Sequence, residues 1–219
     1  MPQILEFAHV EKSFGKVQAL RDVSFVVDEG EFLFITGPTG AGKTTILKLL
    51  LREFSPSSGQ IVFDKTKVHE IRKKEVPALR QKIGTVFQDF QLLSDRTLME
   101  NAETALSIKK VPKKDWRTRI DTVLDLVGLS DRRNLFPSQL SGGEIQRASM
   151  ARALVVNPKL IFADEPTGNL DWETTDKIMN VLEKVNKEGK TVIVTTHNRK
   201  VVDKMGKRVI ELDHGHIKK

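Results

Sequence analysis

Residues 37–44 read Gly37-Pro38-Thr39-Gly40-Ala41-Gly42-Lys43-Thr44. This Gly-x4-Gly-Lys-Thr pattern is the phosphate-binding loop that holds a nucleoside triphosphate. Its glycines let the backbone curl so that successive N–H groups surround phosphate oxygens. Lys43 is expected to reach the β- and γ-phosphates, and the Thr44 hydroxyl to ligate Mg2+. A second run, Leu160-Ile161-Phe162-Ala163-Asp164-Glu165, ends an apolar stretch in two carboxylates. At the carboxyl edge of a sheet, Asp164 can hold Mg2+ through water and Glu165 can polarise an attacking water, as a general base or an orienting group. A third run, Leu140-Ser141-Gly142-Gly143-Glu144-Ile145-Gln146, sets two glycines at a helix start. Free N–H groups and the helix dipole there favour an anion. Ser141 and Glu144 also fit a Ser-x-x-Glu capping box, so a plain helix cap and an anion site both stand as readings.

These residues need a scaffold that brings distant segments to one edge. Phe32-Leu33-Phe34-Ile35 is a continuous apolar run, as expected of a buried parallel strand, and it feeds directly into the glycine-rich loop. A helical pattern through Leu47, Leu50 and Leu51 follows, then a break at Pro56-Ser57-Ser58-Gly59 and a strand at Ile61-Val62-Phe63. Shorter β-rich runs precede the loop at Ile4 to Val10 and Val23 to Val27. From about Asp89 to Val155 the pattern is mostly helical, with Trp116, Ile120, Val123, Leu124 and Val127 at helix spacing before Gly128. Strand signals return at 160–163, at Thr191-Val192-Ile193-Val194 and at Arg208 to Leu212, with a helix from about Thr174 to Lys187. Strand–helix alternation of this kind predicts an α/β fold around a parallel sheet, with the central helical block as an insertion.

The chain has 219 residues, enough for one sizeable core, and no cysteine, which excludes disulfides, thiolate metal sites and a cysteine nucleophile. No stretch is apolar for long enough to suggest a membrane span, and the first residues carry no signal-peptide pattern. The formal charge is +7. Basic residues gather at 65–82 and 109–119, but acidic residues interleave with them and aromatics are few, so no base-stacking platform for nucleic acid is expected.

Taken together, the phosphate loop, Leu-Ser-Gly-Gly-Glu, Leu-Ile-Phe-Ala-Asp-Glu and the later Thr196-His197 resemble the nucleotide-binding subunits of ABC transporters, over essentially the whole chain. The resemblance implies a P-loop NTPase fold: a RecA-like parallel-sheet core with an antiparallel β subdomain (1–88 and 156–219) and a helical subdomain (89–155) carrying the signature motif. It implies a Mg2+-dependent ATPase in which two copies sandwich ATP between one phosphate loop and the partner's signature. By motif, ATP contacts would come from Gly37, Pro38, Thr39, Gly40, Ala41, Gly42, Lys43, Thr44 and Thr45, and across the dimer from Ser141, Gly142, Gly143 and Glu144. Gln88 matches the glutamine that touches Mg2+ beside Thr44 and Asp164, Gly168-Asn169-Leu170-Asp171 the D-loop, and His197 the γ-phosphate sensor. Glu165, His197 and Gln88 make the catalytic set. Phe14 falls at the adenine-stacking position, where a phenylalanine would stack but lacks a hydroxyl, and Asn198 stands where an acidic residue often follows the histidine.

Glu144, in place of a commoner glutamine, and residues 163–171 are similar to the subgroup containing FtsE, LolD and MacB. The stretch from Val86 to Thr97 with Glu100-Asn101, and Lys207 to Leu212, resemble its cell-division branch most closely. That branch implies an FtsX-like integral membrane partner on the cytoplasmic side of a bacterial inner membrane, controlling septal peptidoglycan hydrolysis. The alternatives are a lipoprotein or small-molecule exporter ATPase and, from another class, a soluble cassette acting on nucleic acid or ribosomes.

Overall fold

A computed structural model describes residues 2–168 and 170–218. Strands β1 (Gln3–Phe14) and β2 (Val17–Asp28) form a hairpin longer than their apolar runs predict. With β4 (Ser58–Phe63) and β5 (Thr66–Lys67) they make an antiparallel sheet of order β2-β1-β4-β5. The second sheet contains β3 (Phe32–Thr36), β6 (Ile83–Val86), β7 (Leu160–Asp164), β8 (Thr191–Thr196), β9 (Arg208–Asp213) and the edge strand β10 (His216–Ile217). Its order is β10-β9-β3-β8-β7-β6, and all neighbours except β10–β9 run parallel.

The apolar runs explain the layering. Along β3, Phe32 and Phe34 enter one core and Leu33 and Ile35 the other. A strand buried on both faces needs no polar alternation, which is why this one reads as an unbroken apolar run. One face packs on α3 (Leu98–Ile108), α4 (Trp116–Leu126), α5 (Gly142–Leu154), α6 (Trp172–Lys187) and α7 (Arg199–Met205). The other packs on α1 (Lys43–Leu50), α2 (Val76–Arg80) and the antiparallel sheet. Among the described residues no helix is long and apolar enough to cross a membrane.

The helical block begins at Leu98, later than the expected Asp89. The intervening segment cannot be helical: Phe90 and Gln91 both have positive φ, 60° and 49°. Thr97 then starts α3 with a capping box, its hydroxyl accepting from Glu100 N and the Glu100 carboxylate accepting from Thr97 N.

Asp64, in the turn between β4 and β5, ties the two sheets together. Its oxygens accept from Lys82 Nζ and Lys159 Nζ, both at 2.7 Å, and those lysines stand just before β6 and β7. Burial pushes the Asp64 carboxyl up, but the hydrogen bonds and charges of Lys159 and Lys82 outweigh it and hold the group below its ordinary 3.8. A depressed carboxylate stabilises the fold above its unfolded pKa, and that contribution is lost as pH falls through the folded value. Asp64→Asn should therefore cost about 1–3 kcal/mol near neutrality and flatten the acid limb of stability. Urea titrations of both proteins from pH 7 down to 3 check this; identical curves would mean the lysines gain nothing from Asp64.

Candidate active site

Four adjacent strands deliver the site at their carboxyl ends. Residues 37–44 leave β3, His197 leaves β8, Asp164 and Glu165 end β7, and Gln88 follows β6. Register sets them level: Thr36 pairs with Thr196, Asp164 with Thr195, and Val86 with Ala163. Sequence segments up to about 160 residues apart thus meet on one edge, where open α/β sheets bind ligands.

The phosphate loop needs glycine first at Gly37. Its φ is 150°, and a Cβ there would sit 2.2 Å from the Leu212 carbonyl oxygen, a fixed backbone atom. Lys43, only 6% exposed, folds back over the loop and donates to the Gly37 and Pro38 carbonyls at 2.7 and 3.1 Å. Its ammonium also lies 3.2 Å from Glu165 Oε1. The second oxygen of Glu165 lies 3.0 Å from His197 Nδ1. Glu165 is aimed by its backbone, which turns out of the strand at φ 48° while its N–H is held by the Thr195 carbonyl and hydroxyl. A non-glycine residue in that region carries about 1 kcal/mol or more of strain, fixed here by the neighbouring strand.

Beside this triad, Thr44 Oγ1 donates to Asp164 Oδ2 at 2.9 Å and Thr195 Oγ1 to Asp164 Oδ1 at 2.5 Å. Thr39, Gly40, Gly42, Lys43, Thr44, Thr45, Gln88, Glu165 and His197 line a hollow of about 330 Å³. A larger cleft of about 790 Å³ adjoins it, with Thr44, Gln88 and Asp164 on its wall and Phe90, Gly142 and Gly168 further along. Among the described residues no group of three or more His, Cys, Asp or Glu could hold a metal. A hydroxyl, an amide and one carboxylate are hard oxygen donors, and such a sparse set suits Mg2+, which keeps most of its shell for phosphates and water.

Other expected site residues stand outside the smaller hollow. Gly37, Pro38 and Ala41 support the loop without lining the smaller hollow. Ser141, Gly143 and Glu144 line neither cavity. At Ser141 the capping box is real: Glu144 Oε2 accepts from Ser141 N and Oγ at 2.9 and 2.8 Å. Those bonds, with Arg132 nearby, lower the Glu144 pKa. Asp171 caps α6, accepting from Thr174 N and Oγ1, and Asn169 lies outside the described residues. Phe14 ends β1 with its ring edge-on to Phe54 at 5.0 Å and Lys12 Nζ 4.8 Å from its centroid. Thr195 is the functional residue that the sequence reading missed. Its one signal was the pair of hydroxyls that closes the buried strand after Val192-Ile193-Val194.

A two-layered P-loop core whose lysine, paired carboxylates and histidine converge on one edge defines a nucleotide-hydrolysing cassette. The chain belongs to the ABC transporter family, whose match spans residues 20–168, and it is an ATP-binding subunit of that family and an ATPase. Among its relatives is the cell division ATP-binding protein FtsE of Bacillus subtilis, 44% identical over 215 residues, which cover 98% of this chain and 94% of the relative. FtsE of Escherichia coli K12 is 42% identical over 215 residues, 98% of this chain and 97% of the relative. The dimeric structure of MJ0796, a bacterial ABC transporter cassette, superposes with a TM-score of 0.90 at 38% identity, covering 99% of this chain and 97% of that one. MJ0796 in a post-hydrolysis state bound to ADP and Pi is similarly close, at 0.90 and 37% over the same shares.

Proposed function

We propose that this chain is the Mg2+-dependent ATPase of an FtsE–FtsX-type cell-division complex. It works as a homodimer on the cytoplasmic face of a bacterial inner membrane, at the septum, and its ATP cycle drives an FtsX-like membrane protein that regulates peptidoglycan hydrolysis. The observation that carries the cell-division part is identity of 42–44% to FtsE proteins across 98% of the chain.

Within the site, Lys43 and the loop N–H groups of residues 37–45 bind the β- and γ-phosphates. Glu165 accepts a hydrogen bond from the attacking water and takes its proton as the water oxygen bonds to the γ-phosphorus and the bond to the ADP oxygen breaks. His197 holds Glu165 at that angle and faces the γ-phosphate. Thr44, Asp164 and Gln88 would hold Mg2+, which neutralises phosphate charge when bound. Phe14 stacks on adenine. Ser141, Gly142, Gly143 and Glu144 serve the partner's nucleotide: three of the four are absent from both cavities of their own chain. Residues 1–88 and 156–219 act as the core and 89–155 as the helical subdomain, joined through Gln88 and the segment that follows it.

Capturing tagged protein from detergent-solubilised membranes of its own host, with and without MgATP, tests the assignment. An FtsX-like protein should co-purify. Recovery of a lipoprotein- or drug-export permease in its place would overturn the cell-division reading while leaving the ATPase intact.

A further inference from the structure

A groove between α4 and α6 shares no residue with either cavity of the active site. Both helices pack on α5, and two hollows open along the seam. The larger, about 440 Å³, is lined by Val127 and Gly128 after α4, by Val181 and Lys184 on α6, and by Arg147 of α5. The smaller, about 280 Å³, is floored by Val123, Leu154, Val155, Pro158 and Val185. Leu126 lines both, so the two adjoin. Val123 and Val127 stand one helical turn apart, as do Val181 and Val185, which sets the hollows about 6 Å from one another. Side chains at i and i+4 of any helix have that same separation, and an amphipathic helix seats its apolar anchors in a groove at this spacing.

The rim sets the chemistry of such a helix. Arg119 and Lys190 border the smaller hollow, and Arg147 and Lys184 the larger. Among the described residues none of these four cations pairs with a carboxylate, whereas Lys177 beside them is taken by Glu173. Burial and the charges of Arg119 and Lys190 push the neighbouring Lys109 below its ordinary pKa, so these cations crowd one another without a counter-charge. Two carboxylates, Asp125 and Glu188, interrupt the same rim, and no aromatic lines either hollow. An evenly anionic surface, such as duplex DNA or a charged bilayer, would be pressed against both carboxylates and would leave the apolar floor unfilled. A peptide can set acidic side chains opposite the cations alone.

We propose that this groove docks an acidic amphipathic helix of a partner protein, with two apolar side chains one turn apart in the hollows and carboxylates facing Arg119, Arg147, Lys184 and Lys190. The docking site is independent of which membrane protein the ATPase serves. The probes are three fluorescein-labelled synthetic helices. The first carries leucine at i and i+4 flanked by glutamates, the second the same leucines flanked by lysines, and the third the glutamates with both leucines replaced by alanine. Each is titrated with the full chain and followed by anisotropy. The glutamate–leucine helix should bind at least about tenfold more tightly than either of the others. R119E/K184E breaks no ion pair of the chain, so it should keep its ATP turnover and reverse the preference between the glutamate and lysine helices. Equal binding of those two, a preference unchanged in R119E/K184E, or no binding up to about 1 mM each overturns the inference. Phosphatidylglycerol vesicles and duplex DNA complete the set. If either binds and R119E/K184E abolishes that binding while no helix is preferred, the groove belongs to a membrane or a nucleic acid and the inference falls.

Discussion

Glu165→Gln should lower kcat by about 10²–10⁴-fold and leave ATP affinity within a few-fold of the original. The change keeps the side chain's length and its contact with His197, but removes the carboxylate that lies 3.2 Å from the Lys43 ammonium. Nothing that shapes the phosphate loop is lost. Lys43 still donates to the Gly37 and Pro38 carbonyls, and the left-handed backbone at 165 is held by Thr195, not by its own side chain. What disappears is the acceptor for the water's proton, an interaction made mainly in the transition state. Single-turnover phosphate release and a nucleotide-binding titration separate the two quantities. Turnover within about threefold of the original would remove Glu165 from the proton-accepting role.

Lys43→Ala should behave in the opposite sense, reducing ATP affinity by about a hundredfold or more. The ammonium is nearly inaccessible and holds two loop carbonyls and one carboxylate at once. Its removal leaves Glu165 facing incoming phosphate without an intervening positive charge, so two anions are brought together where a cation had separated them. Lys43→Arg should rescue little, because a planar fork cannot replace a compact ammonium in so close a space. Titration with a fluorescent ATP analogue, beside a thermal melt to verify folding, gives the result. Tight binding by a folded Lys43→Ala protein would refute the phosphate-loop assignment.

The chemistry of the site was legible because its residues come in short contiguous runs. Gly37 to Thr44 carries loop, cation and hydroxyl within eight positions, and Asp164-Glu165 closes an apolar strand. The pairings between runs were not legible. That Thr195 holds Asp164 and also accepts from Glu165 N depends on β7 and β8 being neighbours in register, which no local pattern encodes. Several short elements escaped for lack of length, β6 and α7 among them. Strand β6 has four residues, one of them Gly84, and α7 has seven with only Val201 and Val202 buried, too few to establish a period. The capping box at Ser141 was legible, since both partners lie within one turn.

The paired left-handed residues Phe90 and Gln91 have a mechanical consequence. Their carbonyls are held by α5: Ser149 Oγ donates to Phe90 O at 3.0 Å, and Arg152 donates to the Gln91 and Phe90 carbonyls. Burial lowers the Arg152 pKa, and among the described residues no carboxylate pairs with it. Left-handed backbone at two non-glycine residues stores roughly 1–2 kcal/mol apiece, and the donors of α5 help to keep it wound. The link between Gln88 and the signature helix is thus a latched spring, not a slack tether. A pull on it does not stretch a loop; it trips a catch whose other jaw is the helix that begins at Ser141.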